Sequence, residues 1–162
     1  MSFELSAHTH PDVELLYTLG EAADLVGVSI PTIRMYEREG LIVTNRRQSR
    51  HRRYTRADIN RLLCIRKMIR EEKVSIAGIR RILALIPCWK IKNCPEDART
   101  ACGAFQQHEA PCWVASLRSW DCKSAECRLC PVYTDVADCH SLKQRIALYT
   151  LEPHESEPSR KR

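Results

Sequence analysis

No apolar run in this 162-residue chain approaches the ~20 residues that a membrane-spanning helix requires. Its start, MSFELSAHTHP, lacks the basic stretch and apolar core of a secretory signal. A soluble protein of the cytoplasm with no membrane partner is therefore expected, and thiols in that compartment stay reduced. There is no glycine-rich phosphate loop, no Ser-His-Asp set and no acid pair beside a nucleophile, so an enzyme is not expected. Lys and Arg are missing altogether from Met1 to Ile30. Leu and Ile thin out after residue 87, where a domain would have difficulty folding on apolar burial alone.

What is present is unevenly placed. The net charge is +6, but Pro31 to Arg70 holds twelve Lys or Arg against three acids, a local excess of +9. From Pro95 to Arg162 the balance is −1. A concentrated arginine patch is the electrostatic footprint of a polyanion partner, and it also suits a plain solvated surface. Eight of the nine cysteines follow that patch, between Cys88 and Cys139.

The arginine-rich part reads as helices joined by tight turns. Thr18-Leu-Gly-Glu21 is a capping box that opens a helix carrying Leu19, Ala22, Ala23, Leu25 and Val26, and Gly27 ends it. Ser29 caps a second helix, Pro31 to Glu39, which stops at Gly40. Two short helices with a Gly-containing turn make a helix-turn-helix, whose second helix reads the major groove. Leu41 to Tyr54 reads as a short hairpin, a wing, with Ile42 and Val43 going out and His51 to Tyr54 returning. Arg46, Arg47, Arg50, Arg52 and Arg53 lie on or beside it, and a guanidinium offers paired donors to phosphate oxygens. Thr55-Arg-Ala-Asp58 caps a further helix, to about Glu72, with Ile59, Leu62, Leu63, Ile65, Met68 and Ile69 as its stripe. Cys64 reads as a small hydrophobe among them. Ser75 caps the last helix, with Ile76, Ile79, Ile82, Leu83 and Ile86 on one face, and Pro87 ends it.

The segments "YTLGEAADLVGVSIPTIRMYEREGLI" and "RRYTRADINRL" resemble the DNA-binding domain of the MerR family of bacterial transcription regulators, most strongly over Thr32 to Leu41. The resemblance covers about Tyr17 to Ile86. It implies a dimeric winged helix-turn-helix regulator, nucleoid-associated, that binds a palindromic promoter with an over-long spacer and untwists it. The implied partners are double-stranded promoter DNA, a second copy of the chain and, indirectly, RNA polymerase. Thr32, Arg34 and Tyr36 fall on the family's recognition-helix positions, and Arg52 and Tyr54 on its wing. With the arginines nearby, the candidate DNA contacts are Thr18, Ser29, Thr32, Arg34, Tyr36, Arg38, Arg46, Arg47, Arg52, Arg53 and Tyr54. The alternatives are a solvated face for Arg34 and Arg38, paired with Glu37 and Glu39, and packing against the wing for Tyr36. Arg50-His51 stand where the family's wing has Gly-Tyr. The family's long dimerising helix is replaced by Pro87 and the cysteines, so Ser141 to Leu151 is the candidate dimerisation element.

The cysteines fall in two halves, Cys88-x5-Cys94-x7-Cys102-x9-Cys112 and Cys122-x4-Cys127-x2-Cys130-x8-Cys139. Pro-Cys-Trp occurs twice, at Pro87 and Pro111, as in a degenerate repeat. Thiolates are soft ligands that select zinc, copper(I) or iron–sulfur clusters. Structural zinc favours paired Cys-x2-Cys knuckles, and only Cys127 and Cys130 form one. The second half instead follows the plant-type ferredoxin order. His108 and His140 stand at no zinc-finger spacing. All eight cysteines are thus candidate ligands of an iron–sulfur cluster, with zinc second and buried thiols or disulfides third. Trp89 and Trp113 read as core, and metal would supply part of the folding energy.

The expected fold is mainly α: a MerR-like winged helix-turn-helix over 15–86, then a small Cys-rich, metal-stabilised domain over 87–151 with a C-terminal helix. Disordered ends are expected at 1–14 and 152–162. The expected function is a DNA-binding regulator that senses redox state or metal, with coupling through the Ile86 to Trp89 junction. A zinc-stapled regulator without sensing and a thiol or cluster oxidoreductase are the rival readings.

Overall fold

The computed structural model describes residues 16–43, 53–116, 118, 122, 126–135 and 142–150. The expected disordered ends lie outside them. Helix α1, Leu19–Val26, begins at a complete capping box: Glu21 N donates to Thr18 Oγ1 at 3.2 Å, and Thr18 N donates to the Glu21 carboxylate at 2.7 Å. The backbone donor of Thr18, then its hydroxyl, hold the Glu21 carboxyl below the usual carboxylate range. Gly27 ends α1 at φ 68°, a left-handed conformation that glycine adopts without a Cβ penalty. Helix α2, Ile30–Arg38, is capped by Ser29, with Pro31 in its first turn.

After α2 the chain turns at Gly40, φ 71°, and drops Leu41 and Ile42 into the core. This changes the expected wing. Strand β2, Arg53–Tyr54, pairs antiparallel with β1, Tyr17–Thr18, in the register Tyr17 to Tyr54. It does not pair with Ile42 and Val43, because the apolar Ile42 is buried in the helical core. The wing tip, residues 44–52, lies outside the described residues.

Helix α3, Arg56–Arg70, starts at a second capping box, Thr55 with Asp58, and α4, Ile76–Ala84, is capped by Ser75. Ile59, Leu62 and Ile65 of α3 meet Ile79 and Leu83 of α4 and Ala22, Ala23 and Val26 of α1 in one core. Leu25 and Leu63, expected on the buried stripes, are exposed instead. Cys64, beside Leu63, is not a buried hydrophobe either: it is half-buried and disulfide-bonded. Its place at the edge of the stripe leaves the sulfur within reach of another thiol.

Beyond Pro87 the chain is a run of short turns: α5, Cys88–Ile91; α6, Glu96–Thr100; α7, Gly103–Gln106; 3₁₀ turns at Cys112–Val114 and Cys127–Leu129; α8, Pro131–Thr134; and α9, Leu142–Thr150. Aromatic edges replace the missing aliphatics. Trp89 packs edge-on to Phe105, and Trp113 edge-on to Tyr133, each at 5.2 Å. Val132, 2% exposed, belongs to the same core as α1, α3 and α4. Burying such a side chain stabilises by about 2 kcal/mol. The cysteine module thus packs part of its apolar surface against the N-terminal unit.

Candidate nucleic-acid interface and cysteine cavity

Along α2 the inward positions are Ile33 and Tyr36, both buried, and the outward ones are Arg34 and Arg38, both exposed. Residues four apart share a helix face, so the two guanidinium groups stand together. The neighbouring acids are held elsewhere: Glu37 accepts the Tyr54 hydroxyl, and Glu39 meets Arg80 of α4 at 3.4 Å. Arg53 is exposed on β2. Thr32 is half-buried, its hydroxyl 2.8 Å from that of Ser29. Thr18 and Ser29 serve as helix caps.

Two expected DNA contacts sit inside the protein. Tyr36 is 4% exposed and Tyr54 is 1% exposed. Their rings fill the space between α2 and β2, so each has little more than a ring edge to offer a ligand. Burial pushes the Tyr36 phenol above its ordinary value, against the pull of Arg70 and Arg66. Arg46, Arg47 and Arg52 lie outside the described residues.

Cys88, Cys94, Cys102, Cys112, Cys122, Cys127 and Cys130 line a single cavity. None of the seven is in a disulfide. Cys139 lies outside the described residues. Short turns place these sulfurs: Pro87 and Pro111 each start one at Cys88 and Cys112, and Cys130 precedes Pro131. Both halves of the cysteine series therefore contribute to the same wall. Cys88 and Cys112 share a hydrogen bond, which draws the Cys88 thiol below its ordinary value. The same bond, then burial, then the nearby sulfurs of Cys88, Cys130 and Cys122 push Cys112 far up. The pair gives up a first proton readily and a second reluctantly. Arg118 Nη1 donates to Cys127 Sγ at 2.7 Å.

Among the described residues no three Cys, His, Asp or Glu side chains are gathered closely enough to hold one metal ion. A tetrahedral zinc site brings its thiolates to about 3.8 Å of one another, given Zn–S bonds of ~2.3 Å. A polynuclear cluster takes its ligands at separate iron corners, and the ring of thiols around one space suits that donor set.

The cavity wall rests on the helix-turn-helix through polar contacts that sequence reading missed. Arg128, between Cys127 and Cys130, donates to Asp58 Oδ2 at 2.6 Å, with both side chains largely buried. Trp113 Nε1 donates to Gly40 O at 2.8 Å. Val43 N donates to Tyr133 Oη at 3.0 Å. Arg61, 3% exposed, donates to the Tyr133 carbonyl and stacks 3.9 Å above its ring. Burial draws that guanidinium below the ordinary arginine value, with Tyr133 and Asp58 opposing. A buried arginine in an apolar stripe is a signal of a docked partner surface, though it does not say which surface.

The pair of short helices, the β1–β2 ribbon and the exposed arginines of α2 define a helix-turn-helix of the DNA-binding class. Residues 17–86 match the family described as MerR HTH family regulatory protein, and this stretch is a MerR-family helix-turn-helix domain. A similar curated protein is the "Putative heat shock protein HspR" of Streptomyces coelicolor, 37% identical over 70 residues, which are 43% of this chain and 46% of that protein. The chain thus spans about half the length of the curated relative it matches. No solved structure matches the chain. The family match stops at Ile86, just before the first cavity cysteine. Among the described residues no helix is long and apolar enough to cross a membrane.

Proposed function

We propose that this protein is a cytoplasmic transcription regulator that binds promoter DNA as a homodimer and reports redox or metal status through an iron–sulfur cluster held in the cysteine cavity. The observation that carries this reading is the convergence of seven thiols on one cavity whose wall leans on the helix-turn-helix. Arg34 and Arg38 would meet the groove or its phosphates, and Arg53 with the wing arginines the flanking backbone. RNA polymerase would respond through the shape of the promoter rather than by direct contact. A cluster, when bound, would supply a one-electron redox couple or an oxidant-labile centre. Cys88, Cys112, Cys122 and Cys130, with Cys94, Cys102 and Cys127 around them, are the residues that would hold it. Arg118 would hold Cys127 in place through its hydrogen bond to the sulfur. Seven thiols on one cavity exceed the four that a single zinc staple takes, and a polynuclear cluster is the reading that this donor number supports.

The test is anaerobic purification of the full chain with iron, sulfide and zinc analysis and a visible spectrum. Broad visible absorption with matching iron and sulfide supports the reading. A colourless protein with stoichiometric zinc, or one with no metal at all, overturns it.

A further inference from the structure

The cysteine-bearing turns hold the DNA-reading unit at three points, all on the described residues that flank positions 44–52. Trp113 follows Cys112 and binds Gly40, where the chain leaves α2. Tyr133 lies three residues after Cys130 and accepts from Val43, where the chain enters the wing. Arg128 lies between Cys127 and Cys130 and binds Asp58, whose Oδ2 also accepts Thr55 N at 2.8 Å. Thr55 directly follows β2, where the chain leaves the wing. The exit of the recognition helix and both roots of the wing are thus pinned by residues one to three positions from cavity sulfurs.

We propose that these three contacts form a relay through which occupancy of the cysteine cavity sets the position of the wing roots, residues 40–43 and 53–58. The proposal rests on the reading of the cavity as a metal or cluster site. Residues so close to the sulfurs cannot keep their places if the sulfurs shift by more than a fraction of an ångström. The Asp58–Arg128 and Arg61–Tyr133 contacts are buried, and a buried ionic contact contributes little net stability against the cost of desolvation. It does select one docked arrangement sharply, since the alternative leaves charges unpaired. With the turns in register the wing roots are clamped; with the turns displaced the clamp opens as a unit. The relay is separate from the covalent junction at Ile86 to Trp89, which follows α4.

The experiment is hydrogen exchange by mass spectrometry on the full chain, reconstituted anaerobically with ferrous iron and sulfide, and again after chelator stripping. Exchange at residues 40–43 and 53–58 should rise roughly tenfold on stripping, the loss of about one hydrogen bond's protection per site. The core of α1 and α3 should change little. Tyr133→Phe, which removes only the hydroxyl, and Arg128→Gln should each raise wing-root exchange in the iron-loaded protein while iron content stays at the wild-type value. Equal wing-root exchange in the loaded and stripped wild type overturns the relay and leaves the cluster reading standing. A uniform rise through α1 and α3 also overturns it, as the mark of a staple. Failure of every form to take up iron overturns both.

Discussion

The indole nitrogen of Trp113 donates to the carbonyl of Gly40 at 2.8 Å, joining residues 73 positions apart at the end of the recognition helix. Gly40 holds φ 71°, and a Cβ placed there would lie 2.3 Å from Val114 Cγ2. The turn and the close approach both need glycine at this one place. Gly40→Ala should lower unfolding free energy by about 2–4 kcal/mol, from left-handed strain plus overpacking. Urea denaturation checks this, and an unchanged midpoint would contradict the docking of Val114 on Gly40.

Asp58 serves two masters: it caps α3 and it receives Arg128. Arg128→Ala leaves the carboxylate its cap donors, so the expected loss is about 2 kcal/mol, below the 3–5 kcal/mol typical of a fully broken buried pair. Asp58→Ala should cost more, because the capping box goes with it. In the double variant the two losses should fall short of additivity by at least about 0.5 kcal/mol. Additive losses would mean that the bridge does not couple the two elements.

Arg34→Ala should weaken promoter binding. If Arg34 meets phosphate, the slope of log affinity against log salt should shrink by about one, with similar losses on all sequences. If it meets a base edge, discrimination at one position should relax by about 1–3 kcal/mol. Fluorescence anisotropy on matched and mismatched duplexes at several salt concentrations separates these, and unchanged binding would remove Arg34 from the interface.

Burial holds the Tyr133 phenol above its ordinary value, with Arg61 pulling the other way. The folded chain therefore keeps a proton that the unfolded chain releases near pH ~10. Above that pH the unfolded state binds fewer protons, so stability should fall as pH rises, and be fully present below it. Tyr36, also raised by burial, acts in the same direction. Urea midpoints between pH 8 and pH 11 in Tyr133→Phe should decline less steeply than in the wild type (the pH range follows from the ordinary tyrosine pKa of about 10).

The helices of residues 17–86 were legible because their signals are local. Thr18 with Glu21, Thr55 with Asp58, Ser29 before Pro31 and Ser75 before Ile76 mark starts that the structure bears out within a residue or two. The outward arginines of α2 were legible for the same reason. The partner of β2 was not. Ile42 and Val43 have strand-forming side chains, but where Ile42 goes depends on the depth of the helical core beneath it. The burial of Tyr36 and Tyr54 was not legible on the same account, since an aromatic ring reads the same in sequence whether it points in or out.

Cap, breaker and periodicity are properties of a few adjacent residues, so composition and spacing alone specified a helix-turn-helix, its arginine face and a thiol-dense region poor in aliphatics. The meeting of seven sulfurs around one space, the burial of Arg61 and the bridge from Arg128 to Asp58 depend on chain segments some 20 to 70 residues apart, and such contacts exist only once those segments are packed together. Local pattern can say that a thiol is present. Only the folded chain says which neighbours it shares and which helix its wall supports.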